Sequence, residues 1–330
     1  MKIVIPAAGQ GTRLRPHTWS RPKVMLPVAG RPIIGHILAD VAPLEAEEIR
    51  LVVGYGGESV EAYAREAFPD LPIRAVWQER QLGLGHAVLE ALDEGDRDPV
   101  LVVLGDTIFD VSYRDVIQSG DHVLGVRPVP DPERFGIVEL ADDGNRIVRL
   151  VEKPTDPPTD LALVGLYFLQ EAALLRDAIE ELVAGDRRTR GEYQLTDALQ
   201  SLIDAGERFV PCEIGDWFDC GKPETLLSTN RALLERESPG IPDGLEGACA
   251  TIVSPVFVGP DCVIERAVVG PHVSVSRGAT IRDSVVRDAI VGPGALVERV
   301  VLEDSILGPD VRVRGRARSL DLGDDSKLTW

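Results

Sequence analysis

Lys2-Ile3-Val4-Ile5-Pro6-Ala7-Ala8-Gly9-Gln10-Gly11-Thr12-Arg13-Leu14-Arg15-Pro16 passes from a short apolar run straight into a glycine-rich turn. The run reads as a buried strand, and the turn brings backbone N–H groups close to whatever lies beyond the strand's end. The small residues there (Ala7, Ala8, Gly9, Gly11) leave room for a nucleoside, and Arg13 can spread positive charge over a polyphosphate. Lys23, in Arg21-Pro22-Lys23, adds a point charge from the same stretch. Two familiar phosphate loops do not fit. A dinucleotide fingerprint needs a third glycine where Leu14 stands, and no Gly-Lys-Ser/Thr occurs.

Outward from this loop, short apolar runs alternate with helical patterns, the signature of an α/β sheet. The pattern predicts strands over 49–53, 73–77 and 100–104, and helices over 33–44, 59–67 (with Ser59 as cap) and 86–92. The run from Val100 to Leu104 has no polar residue and reads as a central parallel strand buried on both faces. After Gly105 the pattern is mixed. Residues 123–128, 136–140, 147–152 and 162–169 are β-like, while 171–183, 195–205 and 223–237 have helical periodicity.

Ser238-Pro239-Gly240-Ile241-Pro242-Asp243-Gly244 reads as a linker, extending to about residue 247. Beyond it, from 248 to 330, helical periodicity gives way to an imperfect repeat of about six residues. Val258-Gly259-Pro260-Asp261-Cys262-Val263-Ile264 recurs as Val269-Gly270-Pro271-His272-Val273-Ser274-Val275, then from Val291 and again from Leu307. An aliphatic residue enters each short strand and Gly-Pro makes the corner. These hexapeptides resemble those of left-handed parallel β-helices.

Composition narrows the function classes. The chain has 330 residues, 44% hydrophobic and 27% charged, enough apolar material for a large domain and a small one. A formal net charge of −19 argues against a general nucleic-acid or anionic-membrane binder. Phosphates must therefore be held by a local basic arrangement. Cys212, Cys220, Cys249 and Cys262 form no CxxC pair and read as thiols of a reducing compartment. The apolar run at 2–6 is too short for a signal peptide, and no stretch approaches the ~18 apolar residues of a membrane span. A cytoplasmic location is expected.

The segment from Gly9 to Ile34, GxGTRL followed by PKxMLPVAGRPII, resembles the signature of the sugar-1-phosphate nucleotidylyltransferases, and the similarity extends to about Asn230. The resemblance implies a Rossmann-like mixed α/β sheet over 1–237, followed by the β-helix. It implies that the loop at Ala7, Ala8, Gly9, Gly11 and Thr12 wraps a triphosphate, with Arg13 and Lys23 polarising it. Gln78 and Gly83, in Gln78-Glu79-Arg80-Gln81-Leu82-Gly83-Leu84-Gly85-His86, would read a pyrimidine base. Asp106, in Leu104-Gly105-Asp106-Thr107, and Asp219, in Trp217-Phe218-Asp219-Cys220-Gly221, would be the ligands of Mg²⁺, completed by phosphate oxygens and water. On the sugar side the matching positions are Gly136, Glu152 and Lys153 of Glu-Lys-Pro, Val164, and Arg190 of Arg190-Gly191-Glu192-Tyr193.

The implied reaction is one in-line displacement. An anionic oxygen of a hexose 1-phosphate attacks the α-phosphorus of a nucleoside triphosphate, and pyrophosphate leaves. No general base is needed, which fits the absence of a Ser-His-Asp or Cys-His pattern. Glucose 1-phosphate with UTP or dTTP is the expected pair, and the two nucleotides are not separable by sequence. Guanylyl transfer to mannose 1-phosphate, a non-catalytic sugar-nucleotide-sensing subunit, and acetyl transfer on the β-helix are the alternatives. The repeats are expected to build a homo-oligomer.

Overall fold

Ile3, Val4 and Ile5 are fully buried because the strand Lys2–Pro6 lies inside a nine-stranded sheet. In the computed structural model, which describes residues 1–239 and 249–316, the strand order is Ile73–Trp77, Glu48–Val53, Lys2–Pro6, Val100–Val103, Leu161–Leu169, His122–Pro128, Phe209–Glu213, Ile147–Glu152 and Gly136–Leu140. The first four strands run parallel. Leu161–Leu169 then pairs antiparallel to Val100–Val103, with Leu166 opposite Val103. The expected all-buried strand therefore has a parallel neighbour on one side only, and it marks where the sheet changes sense. The chain leaves that strand at Leu104-Gly105-Asp106, which puts an acidic residue at a switch point of the kind where α/β sheets bind ligands.

Helices cover the sheet where apolar stripes demand it. Ala172–Ala184 buries Leu175, Ile179 and Leu182, and Leu195–Asp204 buries Leu199 and Leu202, in one core with Leu124, Leu169 and Phe209. Two helices start two residues earlier than expected. Gly57–Ala67 begins after Gly56 in a left-handed conformation, and Ser59 donates its hydroxyl to the Gly56 carbonyl instead of capping. The helix expected from His86 begins earlier and spans Leu84–Glu90. The helix from Ile33 stops at Val41 and closes with a tighter turn over Ala42–Leu44, where Pro43 sits.

A charged knot lies at the opposite end of the parallel strands. Arg50, 3% exposed, donates to Glu48 at 2.6 Å, to Asp93 at 2.5 Å and to the Ala91 carbonyl at 2.7 Å. Lys2 pairs with Asp93 at 3.1 Å and with Asp96. The hydrogen bond from Arg50, reinforced by Lys2, holds the Asp93 carboxyl down at about 2. Because the folded value lies below the unfolded one, the associated stability is present above about pH 4 and is lost as pH falls toward 2. Asp93 is half exposed, so about 1 kcal/mol is expected after screening. Asp93→Asn should be less stable by about that amount at pH 7, and its stability should fall less steeply between pH 4 and 2. Urea melts across that range measure both.

The chain divides into two compact units, residues 1–26 with 31–226, and residues 27–30 with 227 onward. The sequence places the boundary after Glu237, whereas the division falls inside the helix Pro223–Glu237. The physical reason is Asn230. Its side-chain oxygen accepts from the Ala29 N–H at 2.9 Å and the Ser274 hydroxyl at 2.6 Å, and its amide donates to the His272 carbonyl at 3.2 Å. His272 also meets Glu235 at 2.9 Å, and Arg231 meets Asp288 at 2.6 Å. The second half of the helix thus belongs to the repeat unit. Most of the expected linker lies outside the described residues, as does the chain after residue 316.

The repeats form three stacks of four parallel strands, a β-helix of the left-handed type that such hexapeptides build. Thr251, Val268, Val285 and Val301 are register partners along one stack. Successive partners lie 17, 17 and 16 residues apart, so a coil is shorter than three full hexapeptides. Corner residues such as Asp261, Asp283, Asp288 and Asp310 take left-handed φ values of 42–60°, which aspartate tolerates better than branched residues. Val269, Val273, Val275, Ile281, Val286, Val291 and Val297 are completely buried in the interior.

Candidate active site

The strand Lys2–Pro6 delivers the glycine-rich turn to the carboxyl edge of the sheet, where the Ala7 N–H still bonds to the Val52 carbonyl. Gly11, left-handed at φ 61°, caps a short turn over Thr12–Leu14, and Thr18 donates its hydroxyl to the Gly11 carbonyl at 2.8 Å. Buried Leu14 pins the turn from below. Lys23 is 8% exposed and donates to Asp106 at 2.7 Å.

The two predicted carboxylates are neighbours. Trp217–Asp219 pairs antiparallel with Thr107–Phe109, Asp219 opposite Thr107, and the Cys220 N–H donates to the Asp106 carbonyl at 3.1 Å. Neither short strand was legible in the sequence. Burial alone would raise the Asp106 carboxyl, but the Lys23 charge and hydrogen bond, with the Thr107 hydroxyl, hold it below the usual range. Asp219 is raised, first by burial and then by the Asp106 charge, against the pull of Lys23, Arg13 and Arg134. Two hard oxygen donors in one cleft suit Mg²⁺ only if others join them. Among the described residues no group of three or more His, Cys, Asp or Glu gathers for a metal.

A cleft of about 910 Å³ joins this edge to the sugar-side residues. Gly9, Gly11, Thr12, Arg13, Lys23, Asp106 and Asp219 line one part of it. Gly136, Glu152, Lys153, Val164 and Arg190 line the other. Glu152, whose side chain is 7% exposed, is held by Lys153 at 2.8 Å and by the Thr196 hydroxyl at 2.7 Å. A Cβ at Gly136 would stand 2.9 Å from the Thr196 hydroxyl and 3.2 Å from Glu152. Lys153 has a left-handed backbone, φ 43°, fixed by its N–H on the Phe135 carbonyl and by Arg190, which donates to its carbonyl at 2.6 Å.

Four expected nucleotide-side residues do not line the cleft: Ala7, Ala8, Gln78 and Gly83. The first two are buried in the turn. The Gln78 amide faces its own loop, 3.3 Å from the Gly83 carbonyl and 3.2 Å from His86. Gly83, at φ 119°, packs where a Cβ would meet the Tyr193 backbone at 2.7 Å. The cleft also includes Tyr167, which ends the Val164-Gly165-Leu166-Tyr167 stretch that the resemblance places on the sugar side, and four residues not expected as site positions: Arg134, Thr196, Trp217 and Lys222. Arg134 lies two residues before Gly136, and Trp217 and Lys222 lie either side of Asp219, but their direction into the cleft depends on strand pairings. Burial and the charges of Glu152 and Asp106 push the Tyr167 hydroxyl far up, so it stays a neutral donor.

Residues 2–236 match the model of the family described as nucleotidyl transferase. The chain belongs to that family. Glucose-1-phosphate thymidylyltransferase of Streptomyces griseus is 32% identical to this nucleotidyl transferase, over 99% of each chain. The bifunctional protein GlmU of Methanococcus maripaludis is 40% identical over 72% of this chain, which spans 55% of that relative's length. A crystal structure of UDP-glucose pyrophosphorylase complexed with UDP-glucose superposes with a TM-score of 0.61 at 26% identity, covering 71% of this chain and 98% of the other. The mixed sheet is thus the nucleotidyltransferase fold. No helix among the described residues is long and apolar enough to cross a membrane.

Proposed function

We propose that this nucleotidyl transferase joins a pyrimidine nucleotide, from dTTP or UTP, to a hexose 1-phosphate, most directly glucose 1-phosphate, and releases pyrophosphate. One observation carries the proposal: the Lys23–Asp106 pair, with Asp219, shares a single cleft with the Glu152–Lys153–Arg190 group. Relatives named for thymidylyl transfer to glucose 1-phosphate, and a neighbour holding UDP-glucose, support the substrate pair.

The glycine turn and Arg13 bind the triphosphate, and Lys23 lies where charge develops as the α–β bridge breaks. Glu152 accepts from sugar hydroxyls, its carboxylate aimed by Thr196, while Lys153 meets the sugar phosphate. The attacking oxygen is already anionic, so these residues align and neutralise rather than deprotonate. Asp106 and Asp219 would hold Mg²⁺, which when bound screens the charge shared between the two substrates.

Pyrophosphate release, measured over five nucleoside triphosphates and four sugar phosphates, tests this. Turnover should be highest for dTTP or UTP with glucose 1-phosphate; a preference for GTP with mannose 1-phosphate would replace the reading. A second outcome concerns Gly136→Ala. The new methyl must push Thr196 or Glu152 aside, so the KM for sugar phosphate should rise about 10-fold or more while that for nucleotide stays within about 2-fold. Steady-state kinetics with each substrate varied in turn decide it.

A further inference from the structure

The segment 186–194 is tied on one side to the turn at residues 82–85 and on the other to Lys153, at the sugar-side end of the cleft. Thr189 and Glu192 exchange backbone hydrogen bonds at 3.0 and 3.2 Å, leaving Arg190 and Gly191 at the tip with left-handed φ of 54° and 84°. On one side the Tyr193 N–H donates to the Leu82 carbonyl at 2.8 Å, and the Gly85 N–H donates to the Tyr193 carbonyl at 2.9 Å. On the other, Arg190 reaches the Lys153 carbonyl.

What holds this turn in shape is a three-residue latch. The Tyr193 hydroxyl donates to Asp186 at 2.7 Å and accepts from Arg188 at 3.0 Å. Arg188 donates to Asp186 at 2.7 Å and lies 4.5 Å over the Tyr193 ring. Asp186 and Arg188 are exposed enough that an ion pair between them alone would be weak. Tyr193 is 4% exposed, and its hydroxyl joins two exposed charged side chains into one arrangement. Arg190 otherwise sits on an exposed tip, and its guanidinium donates to a backbone carbonyl, which sets the conformation of the residue bearing the sugar-phosphate ammonium.

We propose that Tyr193 is a positioning residue for the sugar-phosphate end of the cleft, acting through the turn that presses Arg190 onto the Lys153 carbonyl. This rests on the proposed sugar-phosphate site and adds a residue that never touches substrate. Lys153 is in a backbone region that side chains rarely adopt, so it holds its place only while its surroundings enforce it.

The test is Tyr193→Phe in the full chain, with both substrates titrated. The KM for sugar phosphate should rise about 5-fold or more, with nucleotide KM and Tm nearly unchanged. Asp186→Ala should do the same, and the double variant should be no worse than Asp186→Ala alone, because both cut one latch. Equal rises in both KM values, additive effects in the double variant, or unaltered kinetics in Tyr193→Phe would each overturn the proposal. The wild-type chain separates this from the broader reading. If it shows no saturable turnover with any sugar phosphate, the function fails; if it does and Tyr193→Phe matches it, only the latch fails.

Discussion

Asp106→Asn is expected to lower turnover at least ~100-fold at saturating nucleotide, sugar phosphate and magnesium. The asparagine keeps a side-chain oxygen for Lys23, now 2.7 Å away, so the fold should be retained. What disappears is the negative charge that balances Lys23 and that would draw a divalent ion beside Asp219. Without it the charge of Lys23 is less fully balanced, with Asp219 still beside it, so on the proposed reading nucleotide binding should survive or even tighten while kcat falls. That division distinguishes a charge that acts on the reaction from one that merely braces the loop. Titrating nucleotide by calorimetry alongside kcat measures both halves. A variant with near-normal kcat at matched magnesium would remove Asp106 from the chemistry.

The second large effect concerns where the chain can be cut. A chain ending at Glu237 is expected to melt roughly 10 °C below the full protein and to expose apolar surface. Leu233 and Leu234 are fully buried, and they belong to the unit that also holds the repeats. Asn230 is 1% exposed and depends on Ser274 and the His272 carbonyl, both removed by the cut. Stranding the Asn230 amide and cutting the Arg231–Asp288 and Glu235–His272 pairs costs about 2–4 kcal/mol, which in a unit of this size corresponds to that shift. Thermal melts followed by circular dichroism, with dye binding for exposed apolar surface, provide the measurement. Coincident melts of the cut and full chains would show that the half-helix is indifferent to the repeats.

The sequence carried most of the strands and helices because burial imposes periodicity. Val100–Val103 is apolar throughout since both faces are covered, and the helix Leu195–Asp204 shows its buried stripe plainly. What the sequence hid was short or non-local. Thr107–Phe109 and Trp217–Asp219 are three residues each, too short for any period, yet their pairing is what brings Asp106 beside Asp219. The Thr196 hydroxyl on Glu152 spans 44 residues, so no motif could announce it. The division of the chain inside the helix Pro223–Glu237 was hidden for a related reason. Asn230 looks like an ordinary polar residue on a helix, and only its three partners reveal that its half of the helix packs with the repeats.

The stacked register of the repeats has a consequence for how this protein can change over evolutionary time. Among the described residues each strand bonds only to its counterparts in the neighbouring coils, Val268 between Thr251 and Val285, Val273 between Val256 and Ala289. Gaining or losing a whole coil leaves every other inward valine in place and every ladder closed. Gaining or losing half a coil turns buried valines outward and aspartate corners inward. Length in this unit is therefore heritable in whole steps of 16 or 17 residues, a quantised freedom that the interleaved nine-stranded sheet, with neighbours drawn from all along the chain, does not possess.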